Sequence, residues 1–96
     1  MSNKNYRRGV RAEYRIKKLL EDTGYTVVRA AGSHGHCDLV AWDRLGLRLI
    51  QAKTGSARVT PTEREALKNM DRPSNSTVEV WTLRPRVREP QIERIA

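Results

Sequence analysis

The sequence has little of what a secreted or membrane protein needs: it contains one cysteine, no phenylalanine and no apolar run of transmembrane length. A single cysteine excludes an intramolecular disulfide and is typical of a reducing cytosol. Only 38% of the 96 residues are hydrophobic, which predicts one domain over residues 1–96 with a modest core. Because so small a core leaves apolar surface to be covered, we expect a homodimer.

Positive charge is what the sequence has in excess. Nineteen Lys and Arg residues stand against eleven Asp and Glu, giving a net charge of +8 and a pI near 10.4. This balance predicts a polyanionic partner, of which nucleic acid is the commonest and an anionic membrane surface is the rival. Since no segment is suited to a membrane, we expect a nucleic-acid partner and no membrane. The expected location is the cytoplasm, at the nucleoid or as an intracellular protein encoded by a virus.

The order of the predicted elements is helix, three-strand meander, helix, strand, which indicates an α/β domain of the layered α+β kind. A "TPTE" capping box at 60–63 starts the second helix, which ends before Pro73. The "DRLG" stretch at 43–46 predicts a hairpin turn, and Ile92 and Ile95 suggest a short edge strand. The first helix is predicted over about 5–22, and strands over 25–32, 38–42, 47–53 and 77–83.

The first helix carries a carboxylate among its apolar residues. On a helical wheel Glu13 is predicted to lie in the middle of the side that also holds Gly9, Ile16 and Leu20. A carboxylate on a packed face must be paired, protonated or bound to a cation, and the simplest alternative is an ion pair with Lys17. The opposite side is basic and is either solvated or in contact with DNA. Its members are Arg7, Arg8, Arg11, Arg15 and Lys18.

The hairpin predicts a second polar group. If Asp43 lies opposite Gly46, Asp38 pairs with Gln51, and Lys53 lies two residues further along the same face. Carboxylate and amide oxygens beside a lysine suit an oxygen-liganded Mg²⁺ or Mn²⁺ acting on a phosphodiester. The pairing depends on a turn without a bulge, and the plain alternative is a surface aspartate and a solvated lysine.

The stretch "GSHGHCDLVAW" places His34, His36, Cys37 and Asp38 within five residues. A zinc site needs four suitably spaced ligands, and the sequence has no second Cys or His pair to complete one. A Cys–His nucleophilic pair is a further alternative, although neighbours on one loop rarely aim at each other. We assign the chemistry to Asp38 and expect the histidines to contact phosphate or to tune the site. The predicted DNA contacts are Arg7, Arg8, Arg11, Arg29 and His34.

These residues together resemble the PD-(D/E)xK nuclease superfamily, and most closely the archaeal-type Holliday-junction resolvases. The resemblance rests on Glu13, the "GS" at 32–33, Asp38 and the "QAK" at 51–53. It implies a restriction-endonuclease-like fold with a central mixed β-sheet flanked by helices. By the same resemblance Glu13, Asp38 and Gln51 are metal ligands for Mg²⁺ or Mn²⁺, and the catalytic residues are Lys53, Glu13 and Ser33. The resolvases are dimers that nick two strands of a four-way junction.

Gln51 departs from the glutamate that resolvases usually have, although Mrr-type restriction endonucleases are similar in carrying glutamine there. An amide binds a divalent cation more weakly than a carboxylate does, so we expect weaker metal affinity or an altered metal preference. The leading hypothesis is a metal-dependent endonuclease that resolves Holliday junctions. The alternatives are a non-catalytic nucleic-acid-binding module on the same fold, and a restriction or repair nuclease without junction preference.

Overall fold

A five-stranded mixed sheet lies between two helices. The computed structural model describes residues 4–30 and 37–96. Neighbouring strands follow chain order across the sheet, and all pairs are antiparallel except β3 and β4, which are parallel. The predicted α/β class with a mixed central sheet is therefore confirmed. The elements are α1 (Lys4–Asp22), β1 (Thr26–Arg29), β2 (Leu39–Trp42), β3 (Leu47–Thr54), α2 (Pro61–Lys68), β4 (Ser76–Leu83) and β5 (Gln91–Arg94).

The turn between β2 and β3 forms as the sequence predicts. The Asp43 side chain accepts hydrogen bonds from the N–H groups of Leu45 and Gly46 at 2.8 and 3.2 Å. The Asp43 N–H donates to the Gly46 carbonyl at 3.1 Å, which closes the hairpin without a bulge. Val40 therefore pairs with Leu49 and Trp42 with Leu47, in the predicted register.

A helical crossover joins the parallel strands β3 and β4. Thr60 caps α2: its side chain accepts a hydrogen bond from the Glu63 N–H, and the Glu63 side chain accepts one from the Thr60 N–H. Pro61 occupies the first turn, where its missing N–H costs nothing. The predicted capping box is confirmed. The predicted edge strand is also confirmed as β5, which contains Ile92 but ends before Ile95.

The two faces of the sheet carry separate apolar clusters. Ala12, Ile16 and Leu20 of α1 are buried against one face, where Trp81 is also buried. Leu67 of α2 packs against the other face. Trp81 is thus a core residue. Neither helix in the described ranges is long and apolar enough to cross a membrane.

The burial of α1 corrects the position assigned to Glu13. The buried stripe centres on Ile16, with Ala12 and Leu20 on either side. Glu13 lies about 60° around the helix from Ile16, at the border of this stripe rather than at its middle. The sequence interpretation missed Ala12 as a core residue because the small side chain lies between two charged residues, Arg11 and Glu13, in the sequence. Glu13 is consequently only partly buried, within reach of solvent and of the neighbouring strand.

Candidate active site

Gln51 and Lys53 lie on the sheet face that α2 covers, and Asp38 lies immediately before β2, at the same end of the hairpin. Val40 and Leu49 pack in the α2-side cluster. Side chains alternate along a strand, so Gln51 and Lys53, two and four residues after Leu49, share that face. The β2–β3 ladder ends at Leu39 opposite Ile50, one residue short of the predicted pairing of Asp38 with Gln51, and the Asp38 N–H donates to the Ile50 carbonyl at 2.8 Å.

The Asp38 carboxylate is fixed across the hairpin. Its Oδ2 accepts a hydrogen bond from the Ala52 N–H at 2.8 Å, which leaves Oδ1 as the oxygen that a cation would take. Burial raises the pKa of Asp38 and so does the charge of Glu13, while the Ala52 hydrogen bond, Lys53 and Arg29 lower it, with a net rise. Glu13, Lys53 and Arg29 therefore all act electrostatically on this one carboxyl group.

Glu13 is paired with Arg29. The Arg29 Nε donates to Glu13 Oε1 at 2.8 Å, and each side chain is 18% exposed. The Arg29 guanidinium also lies over the Tyr14 ring, 4.8 Å from its centroid, and the Glu13 hydrogen bond raises the pKa of Arg29. Pairing of Glu13 with Lys17 is wrong, because Lys17 donates to Glu21 instead, at 2.8 Å.

This ion pair bears on two predicted roles. Arg29 was predicted to contact DNA, and the structure places its guanidinium against Glu13. Glu13 was predicted to bind the metal, and its Oε1 is held by Arg29. Both roles stay predictions. For Glu13 to bind a metal ion, or for Arg29 to contact DNA, the ion pair between them must be shared with the new partner or broken.

Lys53 has a partner that the sequence interpretation missed. Its Nζ donates to Glu63 Oε2 at 2.9 Å, with the two side chains 16% and 35% exposed. Glu63 was identified only as the second member of the capping box. The contact could have been predicted from the order of the elements. Lys53 lies at the end of β3, and Glu63 lies in the first turn of α2, the next helix in the chain.

An arginine-lined cleft lies between α1 and the carboxyl ends of β3 and β4. Its volume is about 440 Å³, and its lining includes Thr54 and Gly55, just after Lys53. The Arg84 Nη1 donates to the Gly55 carbonyl at this edge. Arg7 lies outside the lining and is exposed on α1. The arginines that line the cleft are Arg8, Arg11, Arg15 and Arg84.

Several predicted residues belong to the segment 31–36, outside the described residues. Ser33 and His34 are among them, so the catalytic serine and the histidine–phosphate contact stay predictions, and His36 of the zinc alternative falls there as well. Cys37 is described: its Sγ lies 3.7 Å from Met70 Sδ, and burial raises its pKa, with Asp38 adding to the rise. That environment suits a packed thiol rather than a reactive one.

The donor chemistry near the hairpin fits a hard divalent cation. Within residues 4–30 and 37–96, no group of three or more His, Cys, Asp or Glu side chains is placed to hold a metal ion. Asp38 and Gln51 nevertheless offer a carboxylate and an amide oxygen at one end of the hairpin, and Mg²⁺ commonly uses only one or two protein carboxylates together with water and phosphate. These donor atoms therefore fit a divalent cation that would take some of its ligands from the phosphate of the substrate.

Comparison with known proteins is consistent with this geometry. A curated relative, the crossover junction endodeoxyribonuclease Hjc of Methanocaldococcus jannaschii, is 41% identical over 51 residues, which is 53% of this chain and 38% of that protein. The chain thus matches well under half the length of that relative. The structure of Archaeoglobus fulgidus Hjc, a Holliday junction resolvase, superposes with a TM-score of 0.76 at 23% identity, covering 92% of this chain and 73% of that one.

The superposition confirms the restriction-endonuclease-like fold that the resemblance implied. A family model covers most of the chain: the model of the archaeal Holliday junction resolvases (Hjc) matches residues 4–72. This range contains α1, the hairpin and α2, together with every residue predicted for the site. The protein belongs to the archaeal Holliday junction resolvase (Hjc) family.

Proposed function

We propose that this protein is a metal-dependent endodeoxyribonuclease that cleaves four-way DNA junctions as a homodimer, with residues 1–96 forming a single nuclease domain. The observation that carries the proposal is the position of Asp38 beside Gln51 and Lys53, held by the hydrogen bond from the Ala52 N–H to its carboxylate, in a chain of the resolvase family. A substrate of this kind implies a location with the DNA, in the cytoplasm.

In this proposal Asp38 and Gln51 hold Mg²⁺ or Mn²⁺, with Glu13 as a further ligand when Arg29 shares it. The bound ion supplies an activated water and neutralises charge at the scissile phosphate. Lys53 places a positive charge beside the reacting phosphate and stabilises the negative charge that develops there. Ser33, in the segment before Asp38, is proposed to contact the same phosphate.

The arginine-lined cleft is proposed to hold the DNA backbone on the far side of Lys53. Arg8 and Arg11 line it, and Arg7 lies exposed on the same helix. Guanidinium groups bind phosphate in a bidentate manner and carry the salt-dependent part of affinity. His34 is proposed as a phosphate contact nearer the active site. Arg29 is proposed to join them when it releases Glu13.

A homodimer is supported by apolar side chains on the surface. Trp42 and Val28 are exposed on the sheet near β1, and Ile92 is exposed on β5. A basic protein of this size gains stability by covering such residues with a second copy. A dimer also presents two active sites, which a four-way junction with two strands to cut requires.

A second candidate function is favoured by a specific observation. The described residues hold no cluster of three metal-binding side chains, and the Glu13 carboxylate is already neutralised by Arg29. On this alternative the chain binds nucleic acid through its basic surface without cutting it. The two candidates differ in one outcome, cleavage in the presence of a divalent ion.

The test is a gel assay with a labelled mobile four-way junction in Mg²⁺, Mn²⁺ or EDTA. Wild type is expected to make paired symmetric nicks with either metal and none with EDTA. Asp38→Ala is expected to bind the junction and leave it uncut, because the oxygen donor is lost. Asp71→Ala is the matched control, since it removes an exposed aspartate outside the site and should cleave like wild type.

The outcomes separate the candidates. Cleavage by Asp38→Ala at the wild-type rate would refute the site assignment. A retarded but uncut junction with both metals would support the binding module. Equal cleavage of the junction and of matched duplex and flap substrates would support the third possibility, a nuclease without junction preference.

A further inference from the structure

We propose that Glu63 is a positioning residue for Lys53: it holds the ammonium at the end of β3 in place for cleavage. This inference rests on the proposed function and adds a residue to its site. The contact is a charge-assisted hydrogen bond of 2.9 Å from Lys53 Nζ to Glu63 Oε2. Hydrogen bonds between ionised partners are stronger than neutral ones and fix geometry better.

Glu63 is itself held at its other carboxylate oxygen. Its Oε1 accepts a hydrogen bond from the Thr60 N–H at 3.0 Å, while its own N–H donates to the Thr60 Oγ1 at 3.1 Å. The Thr60 hydrogen bond lowers the pKa of Glu63, and Lys53 lowers it further, so the carboxylate is ionised near neutral pH. One oxygen therefore serves the helix cap and the other serves the lysine.

The first turn of α2 is a fixed support for this contact. Leu67, one turn further along the helix, is buried in a cluster with Leu49 of β3. Leu49 and Lys53 belong to the same strand and point to the same face, so the helix that carries Glu63 packs on the strand that carries Lys53. A lysine side chain has four rotatable bonds. The hydrogen bond to Glu63 restricts rotation about them before substrate binds.

The held ammonium lies within electrostatic range of Asp38, since Lys53 is one of the groups that lower the pKa of that carboxyl. Glu63 and Asp38 thus act on the same ammonium, Glu63 from the helix and Asp38 from the hairpin. A misplacement of about 1 Å at a reacting group can cost on the order of 100-fold in rate. Loss of the hydrogen bond from Lys53 to Glu63 is expected to lower the rate of the cleavage step without weakening DNA binding.

Two substitutions separate the roles of the two oxygens. Glu63→Gln keeps the capping box, which accepts glutamine at this position, but provides one carbonyl oxygen instead of two and no charge. Thr60→Ala removes the cap hydroxyl and leaves the carboxylate on Lys53. Glu65→Gln is the matched control for loss of one charge, because Glu65 is exposed on the same helix and accepts from Asn69.

The first readout is single-turnover cleavage of the four-way junction at saturating protein. Glu63→Gln is expected to lower the rate roughly 10- to 100-fold with an unchanged junction dissociation constant. Thr60→Ala and Glu65→Gln are expected to cleave at the wild-type rate below their melting temperatures. Wild-type cleavage by Glu63→Gln, or an equal loss in Thr60→Ala, would overturn the proposal.

The second readout does not require activity. The side-chain ammonium resonance of Lys53 in a proton–nitrogen correlation spectrum is expected in wild type and Thr60→Ala, where the hydrogen bond slows exchange with water. It is expected to disappear in Glu63→Gln. If wild type cleaves no substrate, the proposed function fails, and an unchanged Lys53 signal in Glu63→Gln would separately overturn the positioning role.

Discussion

Gln51 decides how strongly the proposed site can hold a metal ion. Asp38 is the carboxylate held on the hairpin by the Ala52 N–H, and Glu13 is neutralised by Arg29. Ligand charge tunes divalent-ion affinity, so Gln51→Glu is expected to lower the Mg²⁺ and Mn²⁺ concentrations for half-maximal cleavage by roughly tenfold. The measurement is a metal titration of junction cleavage.

Gln51→Ala is the matched control for this substitution. It removes the amide oxygen and is expected to raise the half-saturating metal concentration, which places wild type between the two variants. If both variants have the same half-saturating concentration as wild type, residue 51 does not bind the metal. The result also bears on Glu13. If a glutamate at residue 51 binds the metal ion more tightly, the ion depends less on Glu13 as a further ligand, and the Glu13–Arg29 ion pair can stay intact.

Among the elements, the β2–β3 turn is fixed by a close approach to the segment before β4. A Cβ on Gly46 would collide with the Asn75 carbonyl oxygen, while one on Gly9 in α1 would have nothing within 4 Å. Gly46→Ala is therefore expected to lower the free energy of unfolding by about 1 to 3 kcal/mol. Gly9→Ala is expected to raise it by about 0.5 to 1 kcal/mol, because alanine favours the helix.

Urea denaturation of the two glycine variants tests this difference. The two substitutions add the same methyl group, so an effect of composition alone would give them the same sign. A stable Gly46→Ala protein would mean that the Asn75 segment can move away, and that the register of the hairpin does not depend on the approach.

The parallel strands β3 and β4 are joined by a buried ion pair. Glu79, with a side chain 6% exposed, accepts from Arg48 through both oxygens, at 2.9 and 2.6 Å. Burial raises the pKa of Glu79, but the hydrogen bonds from Arg48, Thr77 and Trp81 outweigh it, so the net pKa is lowered from 4.5. The ion pair therefore stabilises the fold while Glu79 is ionised.

The pH dependence follows from that direction. A carboxyl group with a lowered pKa in the folded state adds stability above its unfolded pKa of 4.5, and the gain is lost as the pH falls through the lower folded value. Glu79→Gln is expected to cost about 3 kcal/mol at neutral pH, because the partly buried Arg48 loses its charged partner. Urea titrations should show the wild type approaching the variant as the pH falls below 4.5. A constant difference over that window would contradict the assignment.

The sequence predicted the parts of the fold that local chemistry specifies. The register of Val40 with Leu49 follows from the turn at 43–46, and the start of α2 follows from its capping box. The ion pair of Glu13 with Arg29 was missed because it joins residues of two elements whose approach depends on packing. The Glu63–Lys53 contact was missed for the same reason, since the cap already gave Glu63 a role.

For the whole molecule, the proposed junction selectivity depends on charge and on the proposed dimer. A net charge of +8 draws any nucleic acid, so charge alone does not distinguish a junction from a duplex. The proposed selectivity comes from two active sites held at a fixed spacing in a dimer. In the proposed dimer each site is complete within one chain, because the β2–β3 hairpin and the residue before it supply Asp38, Gln51 and Lys53. One active subunit should therefore cut one strand without help from its partner.

A dimer with one inactive subunit tests that argument. Wild-type and Asp38→Ala chains with different affinity tags are co-expressed, and the mixed dimer is purified through both tags. We expect it to bind the junction like wild type and to place one nick per junction, giving nicked products instead of two resolved duplexes on native and denaturing gels. The two homodimers are the controls, one cutting both strands and one cutting neither. Paired nicks from the mixed dimer would mean that one site serves both strands, and recovery of no mixed dimer would mean that the chains do not associate.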